Sequence, residues 1–139
     1  MTVELAMAAA LIGLGMIQVM LTAIEYRRVH GVHYANTARD VPSPKSDSKL
    51  LGRLSRAQSN LMETAPYFIG LAVILALAGI STHATQFAAI AFVFLRILYL
   101  PLYAFGVPNL RGLVWMASFV GLGIMAYAAL IAINWTALA

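Results

Sequence analysis

Hydrophobic positions gather into four long blocks, separated by stretches of quite different character. The blocks run from about Leu5 to Ile24, Leu61 to Ile80, Phe87 to Phe105 and Leu113 to Ile133. Each approaches the ~20 residues a helix needs to cross a ~30 Å hydrocarbon core. The runs are continuous instead of alternating and too few to close a barrel, so they predict helices and not strands. Short connections between most of them predict an all-α integral membrane protein, an up-and-down bundle of four transmembrane helices. Lys49, Arg53 and Arg56 precede the second block at helical spacing, so that helix is expected to begin near Ser48 and extend into the cytoplasm. The stretch GVHYANTARDVPSPKSDSK between the first two blocks is the one soluble-looking segment, and Pro42 and Pro44 predict irregular structure there. The first block has no basic residues ahead of it, and Glu25, Arg27 and Arg28 follow it instead of a small-residue cleavage site, so it reads as a retained helix. No repeat or second domain is evident, and residues 1–139 form one membrane domain.

Composition agrees with a lipid environment. The chain is 62% hydrophobic and 10% charged, with a mean hydropathy of +0.85. A soluble domain carries charge on roughly 25% of its residues. There is no cysteine, which excludes disulfides, thiolate metal sites and a cysteine nucleophile. Any thiol chemistry must use a thiol brought by a ligand.

Charge also orients the bundle. Seven of the nine basic residues lie between the first and second blocks, and Arg111 lies between the third and fourth. The N-terminus, the Ser81–Gln86 connection and the C-terminal tail have none. The positive-inside rule then puts both termini outside and the two basic loops in the cytoplasm. Trp115 and Trp135 fall near opposite ends of the fourth helix, as an aromatic belt would place them. Arg39, Lys45 and Lys49 are expected to attract anionic phospholipid heads, at ~1 kcal/mol for each basic residue near the surface. His30 and His33 lie three apart in the same loop, but a metal site needs a further ligand and His83 is on the other side of the membrane, so no metal is expected.

Two polar stripes interrupt the apolar pattern. Arg56, Asn60 and Glu63 stand at i, i+4 and i+7, on one face of a helix, just where it enters the apolar run. Arg96, Tyr99 and Tyr103 stand at i, i+3 and i+7 in the third block, with Arg111 beyond its end. Arg96 lies nine residues inside Phe105, or ~13 Å along a helix. Leaving it unpaired there costs at least ~2.5–3.5 kcal/mol, and Glu63 is its natural partner. Helix-locking explains one buried pair. It does not explain the excess of Arg27, Arg28, Arg56, Arg96 and Arg111 over Glu25 and Glu63. With Tyr99, Tyr103 and Asn60 added, the set also suits a small polyanion that carries one cation, with arginines forking onto its carboxylates and Glu63 holding an ammonium. From the residues alone the pocket and the lock are about equally supported.

The chain resembles the MAPEG family, the membrane-associated proteins in eicosanoid and glutathione metabolism. The resemblance covers essentially the whole chain and is nearest to the uncharacterised bacterial branch. It is carried by RxxxNxxE at Arg56-Asn60-Glu63 followed by Pro66, by RxxYxxxY at Arg96-Tyr99-Tyr103, by Val107-Pro108-Asn109-Leu110-Arg111, and by the Arg27-Arg28 pair closing the first helix. It implies a homotrimer in a bacterial inner membrane, with the termini periplasmic. It further implies glutathione as co-substrate, bound between subunits at the cytoplasmic half by Arg27 or Arg28, Arg56, Asn60, Glu63, Arg96, Tyr99 and Tyr103. Arg111 would correspond to the arginine that favours the thiolate. The implied activity is that of a glutathione transferase or peroxidase acting on a lipophilic second substrate that arrives through an apolar cleft between helices. The alternative is a non-catalytic membrane protein whose arginine-rich pocket binds a lipid head group or a small anionic metabolite.

Overall fold

The computed structural model describes residues 1–43 and 45–133. Its elements are α1 (Val3–His30), a single turn α2 (Val32–Ala35), α3 (Lys49–Leu77), α4 (His83–Phe105) and α5 (Pro108–Ile131). The four long helices are each long and apolar enough to cross a membrane. Among the described residues there is no strand.

The ends of the helices follow from local chemistry. Ser48 caps α3 by accepting from the Leu51 N–H at 3.0 Å, so the helix starts where its polar spacing begins, twelve residues before the apolar block. Thr82 and Thr85 form a reciprocal capping box at the start of α4. Pro108 occupies the first turn of α5, where a missing N–H costs nothing. Gly79 and Gly106 end α3 and α4 at φ 69° and 76°, the left-handed conformation that a glycine adopts without a Cβ penalty. Pro66 and Pro101 lie inside α3 and α4, which continue through them.

The bundle is up-and-down. At one end Glu4 of α1 accepts hydrogen bonds from Ser81 and Thr85 at the α3–α4 turn. At the other, Arg53 of α3 reaches the α4–α5 turn. The basic residues of α1, α3 and α5 therefore share an end, opposite Glu4. The closest pairings are α4 with α5 and α1 with α3. Leu11, Leu61, Phe68, Leu75, Phe92 and Met125 fill the core, and the Phe68 and Phe92 rings stack at 4.4 Å. Small buried residues let the backbones approach, as they do between helices in lipid. Gly121 lies against a neighbouring backbone: a Cβ there would stand 2.9 Å from the Ala88 carbonyl oxygen, whereas one at Gly123 would meet nothing within 4 Å. Trp115 lies in the second turn of α5 and stacks on Phe119 at 5.3 Å; Trp135 lies outside the described residues.

Candidate functional site

Arg96 is the largest fully buried side chain, 1% exposed, on the face of α4 that packs against α3. Its Nη1 donates to Asn60 Oδ1 at 2.8 Å. Its Cζ lies 5.2 Å from the Phe92 ring centre and 5.7 Å from that of Tyr99. Nε and Nη2 are buried with no hydrogen-bond partner among the described residues. These are the two nitrogens of the guanidinium edge that forks onto a carboxylate.

The expected Arg96–Glu63 pair does not form. Asn60 takes the arginine, and Glu63 is exposed. Helix geometry gives the reason. At about 100° per residue, Glu63 sits roughly 60° around α3 from Asn60, and Arg56 roughly 40° around in the same sense. Asn60 is thus the edge of the stripe that meets α4, while Arg56 and Glu63 face outward. Arg56 folds back along its own helix, its Nη1 lying 3.3 Å from where a Gly52 Cβ would stand.

The third-helix stripe continues Arg96 toward the end of α4. Tyr99 is buried, and its ring meets that of Tyr103 edge-on at 5.3 Å. Arg111, in the first turn of α5, places its Cζ 4.8 Å from the Tyr103 ring centre. Asn60, Arg96, Tyr99, Tyr103 and Arg111 therefore form one continuous polar chain inside a single copy, with Arg56 and Glu63 on the adjoining open face.

The arginine pair that closes α1 divides in two. Arg28 is held by Glu25, with Nε to Oε2 at 2.7 Å and Nη2 to Oε1 at 2.9 Å, and Ser48 Oγ donates to the same carboxylate at 2.8 Å. That carboxylate links the end of α1 to the cap of α3. Arg27 makes no hydrogen bond or ion pair among the described residues and lines a cavity of about 270 Å³ with Thr22, Tyr26, Arg39 and Gln58. Gln58 escaped the sequence reading because two residues turn a helix by about 200°, which takes it off the Arg56 stripe. Arg53 escaped as well, because its spacing from Lys49 and Arg56 signals only a helix.

The remaining candidates are settled locally. His30 is buried between Tyr26 and Tyr34 and bonds Ser43 Oγ at 2.7 Å and Asp47 Oδ1 at 2.8 Å, so it fastens the loop to α1. His33 is exposed. Among the described residues no three His, Asp or Glu side chains gather as a metal would require. An apolar cavity of about 680 Å³ lies between α3 and α5 and is lined by Tyr67, Gly70, Ile74, Phe119 and Leu122 among others. It begins at Pro66, one turn along α3 from Glu63.

One family model matches the chain, that of the MAPEG family, over residues 5–131. No curated protein and no solved structure matches it.

Proposed function

Given that the chain belongs to the MAPEG family, we propose that this integral membrane protein is a glutathione-dependent transferase or peroxidase. It works as a homotrimer in a bacterial inner membrane, with its termini periplasmic and its basic loops cytoplasmic. The observation that carries the reading is Arg96. It is a buried guanidinium with one satisfied donor, whose Nε–Nη2 edge, the edge that forks onto a carboxylate, has no partner among the described residues. A pure helix lock would satisfy its own donors, since a buried unpaired polar group costs about 1–3 kcal/mol.

Glutathione has two carboxylates, one ammonium and the thiol this chain lacks. In this reading Arg96 and Arg56 take carboxylates, Asn60 and the Tyr99 and Tyr103 hydroxyls hydrogen-bond the peptide, and Glu63 holds the ammonium. Arg27 contributes from the end of α1, where Arg28 is already neutralised by Glu25. Arg56 and Glu63 face out of the single copy, which supports a site completed by a neighbouring subunit. Arg111 acts on the sulfur. A thiol of pKa near 8.5 is mostly protonated at pH 7, and a cation within ~4–6 Å lowers that value by about 1–3 units. The thiolate attacks a lipophilic electrophile, or reduces a lipid hydroperoxide, delivered from the apolar side. The cavity that begins at Pro66 supports such an approach.

The test is glutathione binding to detergent-purified protein, with thiolate absorbance followed in the ultraviolet near pH 7 and assembly followed by native mass spectrometry. The expected result is a trimer with a stoichiometric thiolate signal that Arg111→Ala abolishes while glutathione still binds. Binding without thiolate would remove the role given to Arg111. No binding at millimolar glutathione would favour a lipid-head or anion-binding protein without chemistry.

A further inference from the structure

We propose that Arg53 is a positioning residue for Arg111: its guanidinium locks the turn between α4 and α5 and so fixes where Arg111 stands. The role of Arg111 rests on the glutathione reading above. The lock rests on geometry alone.

α4 closes in a pattern that leaves the Ala104 carbonyl without a backbone donor. The Gly106 N–H donates to the Tyr103 carbonyl at 3.1 Å, and the Val107 N–H donates to the Leu102 carbonyl at 3.0 Å. These are the paired bonds of a glycine-terminated helix, and they satisfy the carbonyls of Leu102 and Tyr103. The next carbonyl, that of Ala104, accepts from Arg53 Nη1 at 3.1 Å. A cation on the last carbonyls also complements the negative end of the helix dipole. The guanidinium lies against the open side of Gly106. A Cβ on Gly106 would stand 2.5 Å from both Cζ and Nη2 of Arg53. Gly106 is required by its φ of 76°, and a Cβ there would push the Arg53 guanidinium aside.

Tyr103 precedes this turn and Arg111 follows it. Between them Pro108 fixes one backbone angle and α5 is already helical at Arg111. The 4.8 Å approach of Arg111 to the Tyr103 ring is therefore set by the shape of the turn. α3 braces α4 at two levels seven residues apart, or about 10 Å along the helix. Asn60 holds Arg96 at one level, and Arg53 holds the turn that aims Arg111 at the other.

The experiment titrates the thiolate absorbance of bound glutathione against pH in the full-length protein. It compares wild type, Arg53→Ala, Arg53→Lys, Gly106→Ala and the double variant Arg53→Ala/Gly106→Ala. Losing the aim of Arg111 should raise the midpoint by about one unit, so that the thiolate fraction below the midpoint falls about tenfold. This is expected in Arg53→Ala and in Gly106→Ala, with glutathione affinity within about twofold of wild type. Arg53→Lys keeps the charge but not the planar guanidinium that reaches Ala104 and lies against Gly106, and its midpoint should rise as well. In the double variant Gly106→Ala should add only the strain of its left-handed φ, because the guanidinium it would displace is gone. Midpoints unchanged in Arg53→Ala and Gly106→Ala, while Arg111→Ala abolishes the thiolate, would overturn the proposal. A wild-type midpoint in Arg53→Lys with a shift only in Arg53→Ala would also overturn it, since Arg53 would then act by charge. If wild type binds no glutathione, it is the reading of the site that fails. The lock is then judged by hydrogen exchange of the amides of residues 106–112, expected at least tenfold faster in Arg53→Ala; unchanged exchange would overturn it.

Discussion

Replacing Arg96 by methionine should leave the empty protein as stable as wild type, or more so, while removing its response to glutathione. Replacing its partner Asn60 by alanine should do harm in both states. The asymmetry follows from what each change leaves behind. In Asn60→Ala the guanidinium stays buried and loses the one hydrogen bond it makes, the 2.8 Å contact to Oδ1. A hydrogen bond to a charged group contributes about 1.5–3 kcal/mol. For a chain of this size that is a fall of roughly 5–10 °C in the unfolding midpoint. In Arg96→Met the same bond is lost, but so are two buried N–H groups that had no partner. Replacing a buried charge by an apolar side chain of similar length is often neutral or stabilising, by about 1–4 kcal/mol. The methionine sulfur would keep favourable contacts with the Phe92 and Tyr99 rings, which now lie 5.2 and 5.7 Å from the guanidinium.

Glutathione supplies the other half of the test. A ligand at 100 times its dissociation constant stabilises the native state by about 2.7 kcal/mol. That is a rise of roughly 8–10 °C for wild type. If the free edge of Arg96 receives a glutathione carboxylate, the rise should vanish in Arg96→Met and shrink in Asn60→Ala. Thermal unfolding in detergent, with and without glutathione, measures all of these. An Arg96→Met variant less stable than Asn60→Ala, with an undiminished glutathione response, would refute the reasoning: Arg96 would then be a lock and not a receptor.

Two further outcomes test the scaffold. Gly121→Ala should cost about 1–3 kcal/mol, because the new Cβ meets the Ala88 carbonyl oxygen at 2.9 Å and must separate α4 from α5; Gly123→Ala, with nothing within 4 Å, should be close to neutral, and the two unfolding midpoints decide it. Thr85→Val removes the buried hydroxyl that donates to Glu4 and caps α4, so it should cost about 2–4 kcal/mol, read as a lowered midpoint with the helical circular dichroism of the folded state preserved.

What the sequence disclosed, and what it withheld, divides along a physical line. Properties carried by one helix were legible. The apolar blocks gave four helices because lipid demands continuous runs, and Ser48 marked the start of α3 because a cap and a charge spacing are local signals. Properties that depend on which neighbour a face meets were not. The stripe at Arg56, Asn60 and Glu63 was correct as a stripe, yet it covers about 60° of arc, and only packing decides which edge turns inward. Glu4 lay one residue outside the first apolar block, and its partners Ser81 and Thr85 are 77 and 81 positions away. Gly121 and Gly123 were equivalent as letters, and only the position of Ala88 separates them.

The same division bears on the site. Asn60 faces inward and completes its contact within one chain, while Glu63, one turn further along a membrane-spanning helix, faces out. A carboxylate at the mouth of an apolar run is a costly group, so it must be covered by protein, by water or by a bound cation. Nothing within the single copy covers it among the described residues. Arg56 on the same open edge has the opposite charge, yet it lies back along its own helix toward Gly52 and does not pair with Glu63. Two opposite charges left apart on one face are suited to a ligand that presents both signs. In the function proposed above, the neighbouring subunit is the missing wall and glutathione, with its carboxylates and its ammonium, brings the charges.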